Sequence, residues 1–89
     1  MYKIYYSKQA KKDEKHVIRS KYKETVSRLL DIIEEDPFKS PPPVKKLSGN
    51  LDYAYSRRIN DQHRLVYEVD ESNKRIRILS MWSHYETFH

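Results

Sequence analysis

Several features that support other kinds of protein are missing from this sequence. It has no cysteine, one glycine and no apolar run near the length of a membrane span. Without cysteine there is neither a disulfide framework nor a thiolate metal site, so packing alone must hold the fold. A transmembrane helix needs roughly 20 apolar residues, and a secretory signal needs a basic start followed by an apolar stretch. We therefore expect a cytoplasmic protein without a membrane partner.

Motifs of the commoner catalytic chemistries are absent as well. The chain has no phosphate-binding glycine loop and no nucleophile elbow. Its four histidines, His16, His63, His84 and His89, are scattered without the spacing of metal ligands. The sequence therefore predicts neither a metal nor another cofactor.

Positive charge is what the sequence has in excess. Lys and Arg number 18 against 13 Asp and Glu, which gives a net charge of +5 over 89 residues. A length of 89 residues suits one domain over 1–89. The charge favours a polyanionic partner, and both a nucleic acid and an acidic protein meet that description.

The first half of the chain predicts one strand and two helices. Residues 2–6 are short and aromatic-rich, as in a strand. Ser7 is placed to cap a helix over residues 8–18, and Ser20 to cap a second helix whose apolar residues recur every three to four positions up to Ile33. Asp36 and Pro37 end this helix because proline lacks the donor N–H. Residues 37–54 carry all four prolines and form a shaped loop, partly extended.

The second half predicts three antiparallel strands over residues 53–59, 63–69 and 75–85, joined by polar turns. Alternation places Ile76, Ile78 and Trp82 on one face of the last strand and Met81 on the other. The element order predicts an α+β fold, a two-layer sandwich in which an N-terminal strand and two helices precede an antiparallel meander.

Side chains suited to RNA are concentrated after residue 44. RNA carries its own nucleophile, the 2′-hydroxyl, so an enzyme needs only a base, an acid and positive charge at the phosphate. Histidine is a suitable acid, and tyrosine can position a phosphate or stack on a base. The same residues also fit a solvated sheet surface without catalysis. The candidates are Lys45, Lys46, Arg57, Arg58, His63, Arg64, Arg77, His84 and Tyr85.

One longer motif is more specific. Residues 56–67 read SRRINDQHRLVY, which closely resembles the signature of the Txe/YoeB toxins in the RelE/ParE superfamily. In that family an SRRI run, a three-residue turn and HRLVY recur together. A terminal His-Tyr pair and a Pro-Phe pair after the second helix also recur, and His84-Tyr85 and Pro37-Phe38 match them.

The resemblance implies a fold related to microbial ribonucleases and an endoribonuclease toxin that enters the ribosomal A site and cuts mRNA. It further implies neutralisation by a cognate YefM/Axe-like antitoxin, with a homodimer as one working unit. By position, Arg64 would stabilise the phosphate, His84 would be the acid and Tyr85 would position the substrate. Arg58 would share the pocket. Among the RNA-suited side chains given above, we expect Lys46, Arg57 and His63 to contact RNA.

Position 45 departs from the family pattern. The family's general-base glutamate lies eleven residues before the serine of SRR, which is Lys45 here, and residues 39–51 contain no acidic side chain. Three accounts are open. Lys45 acts as the base, if Lys46, Arg58 and Arg64 disfavour its protonated form; or it stays charged and only holds the phosphate; or it is an engineered substitution. The tail 86–89 is a second departure, because many relatives stop at the His-Tyr pair.

Two other functions remain open from the sequence. One is an inactive toxin that still binds an acidic antitoxin segment which folds on contact. The other is inhibition of DNA gyrase by binding, as ParE-type toxins do. The terminal His-Tyr pair and HRLVY favour RNA cleavage over both.

Overall fold

Two helices and five strands make up the computed structural model, which describes residues 1–82. One strand and both helices come first, and the other four strands follow the proline-rich loop. In chain order the elements are β1 (Lys3–Tyr6), α1 (Lys8–Ile18), α2 (Lys23–Glu35), β2 (Lys45–Lys46), β3 (Ala54–Arg58), β4 (Arg64–Asp70) and β5 (Arg75–Ser80), with a 3-10 turn at Gly49–Leu51.

Both helices form where the apolar spacing predicts them, although their caps differ. Ser7 caps α1 as expected, because its Oγ accepts a hydrogen bond of 3.0 Å from the Ala10 N–H. The prediction that Ser20 caps α2 is wrong. Its Oγ donates to the Val17 carbonyl and accepts from the Tyr22 N–H, so Ser20 closes the turn between the helices and α2 begins at Lys23.

The strands form one sheet in the order β1-β5-β4-β3-β2. β3, β4 and β5 make the predicted antiparallel meander, and the two-residue β2 extends it at one edge. At the other edge, β1 runs parallel to β5, with Ile4 opposite Ile76. Parallel strands need a long connection rather than a tight turn, and both helices and three strands lie between β1 and β5 in the chain.

The main core lies between the helices and one face of the sheet, which confirms the two-layer sandwich. A smaller cluster of Leu47, Ala54 and Val66 lies apart from this core. No helix within residues 1–82 is both long and apolar enough to cross a membrane. The main core consists of Ala10, Val17, Val26, Leu29, Ile33, Ile59, Leu65, Tyr67, Ile76, Ile78 and Met81.

The last strand is shorter than predicted. β5 ends at Ser80, and residues 81 and 82 are no longer in strand conformation. Tyr67 is opposite Ile78 but Val66 is opposite Ser80, so β5 has one extra residue at this point, a bulge. A bulge shifts the alternation of side chains by one position. Met81 therefore joins Ile78 in the main core, although strict alternation places it on the other face.

A buried arginine fastens the proline-rich loop to the sheet. Arg57 is 1% exposed, and each nitrogen of its guanidinium group donates to a neutral oxygen. Nε donates to the Tyr67 hydroxyl at 3.2 Å, Nη1 to the Pro42 carbonyl at 2.7 Å, and Nη2 to the carbonyls of Pro37 and Lys39 at 3.1 and 2.8 Å. The loop from residue 37 to 42 is thus held by one side chain of β3.

Tyr67 completes this arrangement from β4. Its hydroxyl accepts from Arg57 and donates to the Pro37 carbonyl at 2.6 Å. Burial raises the pKa of Tyr67 above its usual value, and the neighbouring guanidinium group of Arg57 offsets part of that rise. The loop therefore depends on two buried side chains, both within the motif at residues 56–67.

We expect Arg57→Ala to lower the free energy of unfolding by about 3–5 kcal/mol, because it leaves a buried cavity, takes the donor from the Lys39 and Pro42 carbonyls and removes one of the two donors of the buried Pro37 carbonyl. Urea denaturation measures the change. The adjacent Arg58 is a matched control, since its side chain is 63% exposed and Arg58→Ala should cost about 0.5 kcal/mol or less. If Arg57→Ala does not fold, Arg57→Lys should fold with intermediate stability. Equal losses for Arg57→Ala and Arg58→Ala would contradict the anchoring role.

Tyr67 also predicts a dependence on alkaline pH. Its folded pKa is raised, so its contribution to stability is complete below the usual tyrosine pKa of about 10 and is lost as the pH rises through the folded value. Tyr67→Phe should therefore lose less stability than the unmodified chain between neutral pH and the range above about 10. Tyr53→Phe, at an exposed position, is the control and should leave the pH profile unchanged. Superimposable profiles for all three proteins would refute the prediction.

Candidate functional site

Three basic side chains share the sheet face that points away from the helices. In the register of the sheet, Lys45 is opposite Ser56, and Arg58 is opposite Arg64. Ser56 and Arg58 are two positions apart on β3 and therefore point to the same side. Opposite residues of paired strands also share a side. The sheet thus brings Lys45, Arg58 and Arg64 together, and we call these three residues the basic triad.

Strand geometry sets the spacing of the basic triad. Neighbouring strands are about 4.8 Å apart and each residue advances about 3.4 Å, so the Cα atoms of Lys45 and Arg58 are roughly 8 Å apart. Those of Lys45 and Arg64 are roughly 12 Å apart by the same spacing. Side chains of this length can converge on one phosphate between them. The triad is therefore suited to binding a polyanion and to neutralising charge on its phosphoryl oxygens.

The turn at residues 60–63 holds both arginines despite their like charge. Arg58 forms an ion pair with Asp61 and donates from Nε to the Asn60 carbonyl. Arg64 donates from Nη1 to the same carbonyl at 2.8 Å and to the His63 carbonyl at 3.2 Å. Like charges directly opposite on paired strands repel each other, and these acceptors offset part of the repulsion. Both side chains are therefore oriented by the turn.

Asn60 shapes that turn from within. Its Oδ1 accepts hydrogen bonds from the N–H groups of Gln62 and His63 at 2.7 and 2.8 Å. A side-chain amide that bonds backbone two and three residues ahead fixes a tight turn. Asn60 thus supports the two arginines through its carbonyl and shapes the turn through its side chain.

The two lysines of β2 point in different directions. Lys45 is opposite Ser56 and lies with the arginines, whereas Lys46 is opposite Tyr55 and points to the other side of the sheet. Both are exposed at the sheet edge. Lys45, a predicted catalytic residue, therefore shares the face of the basic triad, whereas Lys46, which was predicted to contact RNA, does not.

His63 has a different environment from Arg64. Its ring stacks on Trp82, with centroids 4.0 Å apart and planes 16° from parallel. His16 on α1 lies against the same indole ring at 5.9 Å. The ring of His63 is therefore engaged with the end of β5 and the first helix, and Trp82 is a residue of this region that the sequence did not single out.

Arg57 does not belong to the surface. It was predicted to contact RNA, but the carbonyls of the proline-rich loop and the Tyr67 hydroxyl occupy its guanidinium group in the interior. Its neighbour Arg58 points outward because successive strand residues face opposite sides. We therefore revise the role of Arg57 from RNA contact to loop anchor. His84 and Tyr85, the predicted acid and positioning residue, lie outside the described residues.

Asp13 is a buried residue of α1 that the sequence did not reveal as important. It is 2% exposed, and its Oδ2 accepts the Met81 backbone N–H at 3.0 Å. Its Oδ1 accepts from the Gln9 side chain at 2.8 Å. A charged residue on the buried face of a helix is the only sequence signal that could have identified it. Asp13 fixes the chain directly after β5.

A cleft of about 660 Å³ lies farther along the same sheet face, since Glu68 in its lining is four residues from Arg64 on β4, and it contains none of the basic triad. Tyr5, Tyr53, Arg75 and Arg77 line it together with Glu68 and neighbouring acidic residues. Arg77 lies 3.8 Å from Glu68 across the strands. Because both acidic and basic side chains line this cleft, it lacks the purely positive charge of the triad.

Comparison with known proteins identifies relatives over nearly the whole chain. The family model described as the YoeB-like toxin of bacterial type II toxin–antitoxin systems matches residues 5–85. The Toxin YoeB of Mycobacterium bovis is 41% identical over 46 residues, which are 52% of this chain and 54% of that protein. The chain thus spans about half the length of this protein and of two other curated toxins that it matches.

Two solved structures from Staphylococcus aureus have the same fold. The heterotetrameric YoeB-YefM toxin-antitoxin complex contains a chain that is 35% identical, with a TM-score of 0.79 and coverage of 96% of this chain and 99% of that one. The YoeB dimer is 36% identical, with a TM-score of 0.80 and coverage of 94% and 98%.

We expect Asp13→Ala to lower the free energy of unfolding by about 2–3 kcal/mol, because the buried Met81 N–H loses its acceptor. Asp13→Asn should cost less, since its amide oxygen can still accept this bond. Asp31→Ala on the exposed side of α2 is the control and should change stability by about 0.5 kcal/mol or less. Chemical denaturation of the three variants measures these differences, and a loss no larger than that of the control would disprove the anchoring role of Asp13.

Proposed function

Because this chain belongs to the family of YoeB-like toxins of bacterial type II toxin–antitoxin systems, we propose that it is an endoribonuclease that cuts mRNA at the ribosome and so inhibits translation. The observation that carries this proposal is the basic triad. Lys45, Arg58 and Arg64 lie on one face of the sheet, next to a turn that orients both arginines.

The proposed reaction uses the RNA 2′-hydroxyl as the nucleophile. A base removes its proton, the 2′-oxygen attacks the adjacent phosphorus, and the bond from phosphorus to the 5′-oxygen breaks. An acid then protonates the leaving 5′-oxygen, which leaves a 2′,3′-cyclic phosphate and a 5′-hydroxyl. Because the nucleophile belongs to the substrate, the protein has to supply only proton transfer and charge stabilisation.

Arg64 is the proposed phosphate-binding residue of this reaction. Its described hydrogen bonds all use Nη1, and within residues 1–82 its Nε and Nη2 keep N–H groups for a phosphate. Arginine can present two parallel donors to one phosphate, which lysine cannot do. Arg58 would add positive charge from the facing strand.

His84 and Tyr85 complete the proposal from the residues that follow the described part. His84 would be the acid that protonates the 5′-oxygen, since histidine exchanges protons near neutral pH. Tyr85 would position the substrate or stack on a base. Asp13 would support both indirectly, because it fixes the backbone at Met81 before this pair.

Position 45 supports a second candidate function, a toxin fold that binds RNA or its antitoxin with little turnover. Lys45 replaces the glutamate that the family pattern has there, and no carboxylate occurs in residues 39–51. A protonated lysine can hold a phosphate but must lose its proton before it can act as a base. Whether Lys45 can act as the base therefore determines whether the protein is an efficient nuclease or a binding module.

The proposed partner is an antitoxin of the YefM type. The Staphylococcus aureus relatives form a complex with YefM and a dimer, and we propose both assemblies for this chain. An antitoxin that binds the folded toxin must raise its apparent stability.

We expect Lys45→Glu to increase ribosome-dependent mRNA cleavage at least tenfold, because general-base catalysis is typically worth about 10²–10⁴-fold. A carboxylate at this position would be ionised at neutral pH and stabilised by Arg58 and Arg64. Lys46→Glu is the matched control, since it makes the same charge change on the adjacent residue but on the other side of the sheet. Primer extension on mRNA bound to ribosomes measures cleavage.

Arg64→Ala and His84→Ala should abolish the activity that remains, each by about 10²-fold or more. If Lys45→Glu leaves cleavage unchanged or reduces it while the protein stays folded, Lys45 itself is the working group and the charge of the triad drives the chemistry. Blocked replication and DNA damage on expression, with intact mRNA, would instead identify a gyrase inhibitor and refute the nuclease.

A further inference from the structure

The outer face of α1 carries a continuous row of cations. At 3.6 residues per turn, Lys8, Lys11, Lys12, Lys15 and Arg19 fall within an arc of about 100° around the helix axis. At 1.5 Å per residue, the row is roughly 16 Å long. All five side chains are exposed. We call these five residues the α1 stripe.

The α1 stripe and the basic triad lie on opposite sides of the molecule. Ala10, Asp13 and Val17 form the buried face of α1 and face the sheet, so the stripe on the opposite side of the helix points to solvent. The triad lies on the sheet face that the helices do not cover. A short RNA strand on the triad therefore does not reach the stripe.

The stripe does not stabilise the fold. Lys8 and Lys12, Lys11 and Lys15, and Lys15 and Arg19 are like charges four residues apart, and each such pair destabilises a helix. Lys8 and Lys11 also lie near the N-terminus of α1, where the helix dipole disfavours positive charge. Within residues 1–82, the ion pairs of the structure include none of the five. A polyanionic ligand would relieve this repulsion.

We propose that the α1 stripe binds the phosphate backbone of a structured RNA that is distinct from the strand placed at the basic triad. The stripe would hold the protein on folded RNA while the triad faces a single strand. This role builds on the proposed nuclease function, but the affinity of the stripe for RNA can be measured without cleavage.

The composition of the stripe favours phosphate over a protein partner. Lysine is depleted in protein interfaces, whose cores need aromatic or other apolar side chains that become buried. The stripe has four lysines and one arginine and no aromatic residue. Lys and Arg side chains make most contacts to nucleic-acid phosphates, and such contacts need no base recognition. The absence of stacking groups in the stripe points to a duplex rather than to unstacked bases.

The test compares two triple variants of the full chain. One removes three charges from the stripe by Lys8→Gln, Lys12→Gln and Lys15→Gln. The other removes three charges elsewhere by Lys3→Gln, Lys39→Gln and Lys74→Gln, all at exposed positions. All proteins also carry Arg64→Ala so that the probe is not cut. The probe is a fluorescent RNA duplex of about 20 base pairs, and anisotropy is measured over a range of salt concentrations.

The stripe variant should bind this duplex at least about tenfold more weakly near 0.1 M salt, and its slope of log affinity against log salt should fall by roughly 2 to 3. The control variant should lose less than about threefold in affinity. The stripe variant should also melt at the same or a higher temperature, because the like-charge pairs are gone. This measurement separates lost binding from lost folding.

Equal weakening in both variants would show that only net charge matters and would overturn the proposal, as would undiminished binding in the stripe variant. Loss of affinity for an acidic antitoxin peptide without loss for the duplex would assign the stripe to a protein partner and also overturn it. With Arg64 restored, the stripe variant should cut ribosome-bound mRNA more slowly and free RNA at an unchanged rate. If neither the unmodified chain nor the stripe variant cuts RNA, the nuclease proposal fails. The duplex measurement still tests whether the stripe binds RNA.

Discussion

The proline-rich loop has its shape because one arginine is buried beneath it. Residues 37–42 have few ways to pair their own backbone, since proline has no N–H, and three of their carbonyls turn to the guanidinium group of Arg57. Those carbonyls in turn solvate a charge that would otherwise be costly to bury. The loop leads directly into β2, so Arg57 also fixes where Lys45 meets β3. The buried arginine and the exposed triad are therefore parts of one arrangement.

Arg57 and Arg58 show what the sequence could predict and what it could not. Period-two alternation requires two consecutive strand residues to point to opposite sides, but it does not say which of two arginines is buried. The choice depends on the loop carbonyls, which are 15 to 20 residues away along the chain. The resemblance implied that Arg58 and Arg64 share a pocket, and the register of the sheet places them opposite each other on one face. Arg57 was expected to contact RNA because a buried, carbonyl-bound arginine has no local sequence signal.

The other differences also arise from contacts distant in sequence. Ser20 has the composition of a helix cap but is held by the turn it closes with Val17 and Tyr22. The alternation of β5 fails at Ser80 because the register with β4 admits one extra residue, and no composition signal marks a bulge. The helices, the meander and the two-layer packing were predictable because each depends on apolar spacing within one segment. The parallel pairing of β1 with β5 was not, because it joins segments separated by more than 70 residues.

That parallel pairing has a consequence for the order of events during synthesis. Among the described strands β1 is synthesised first, yet its neighbour in the sheet is β5, which is synthesised last. A nascent chain without β5 has its helices and its β3–β4 hairpin. The hydrophobic core beneath α1 is still incomplete, because Ile76 and Ile78 are missing. Such non-local pairing makes folding slow compared with a helical bundle of similar size. The sheet that bears Arg58 and Arg64 is therefore completed late, only after β5 has followed the other four described strands.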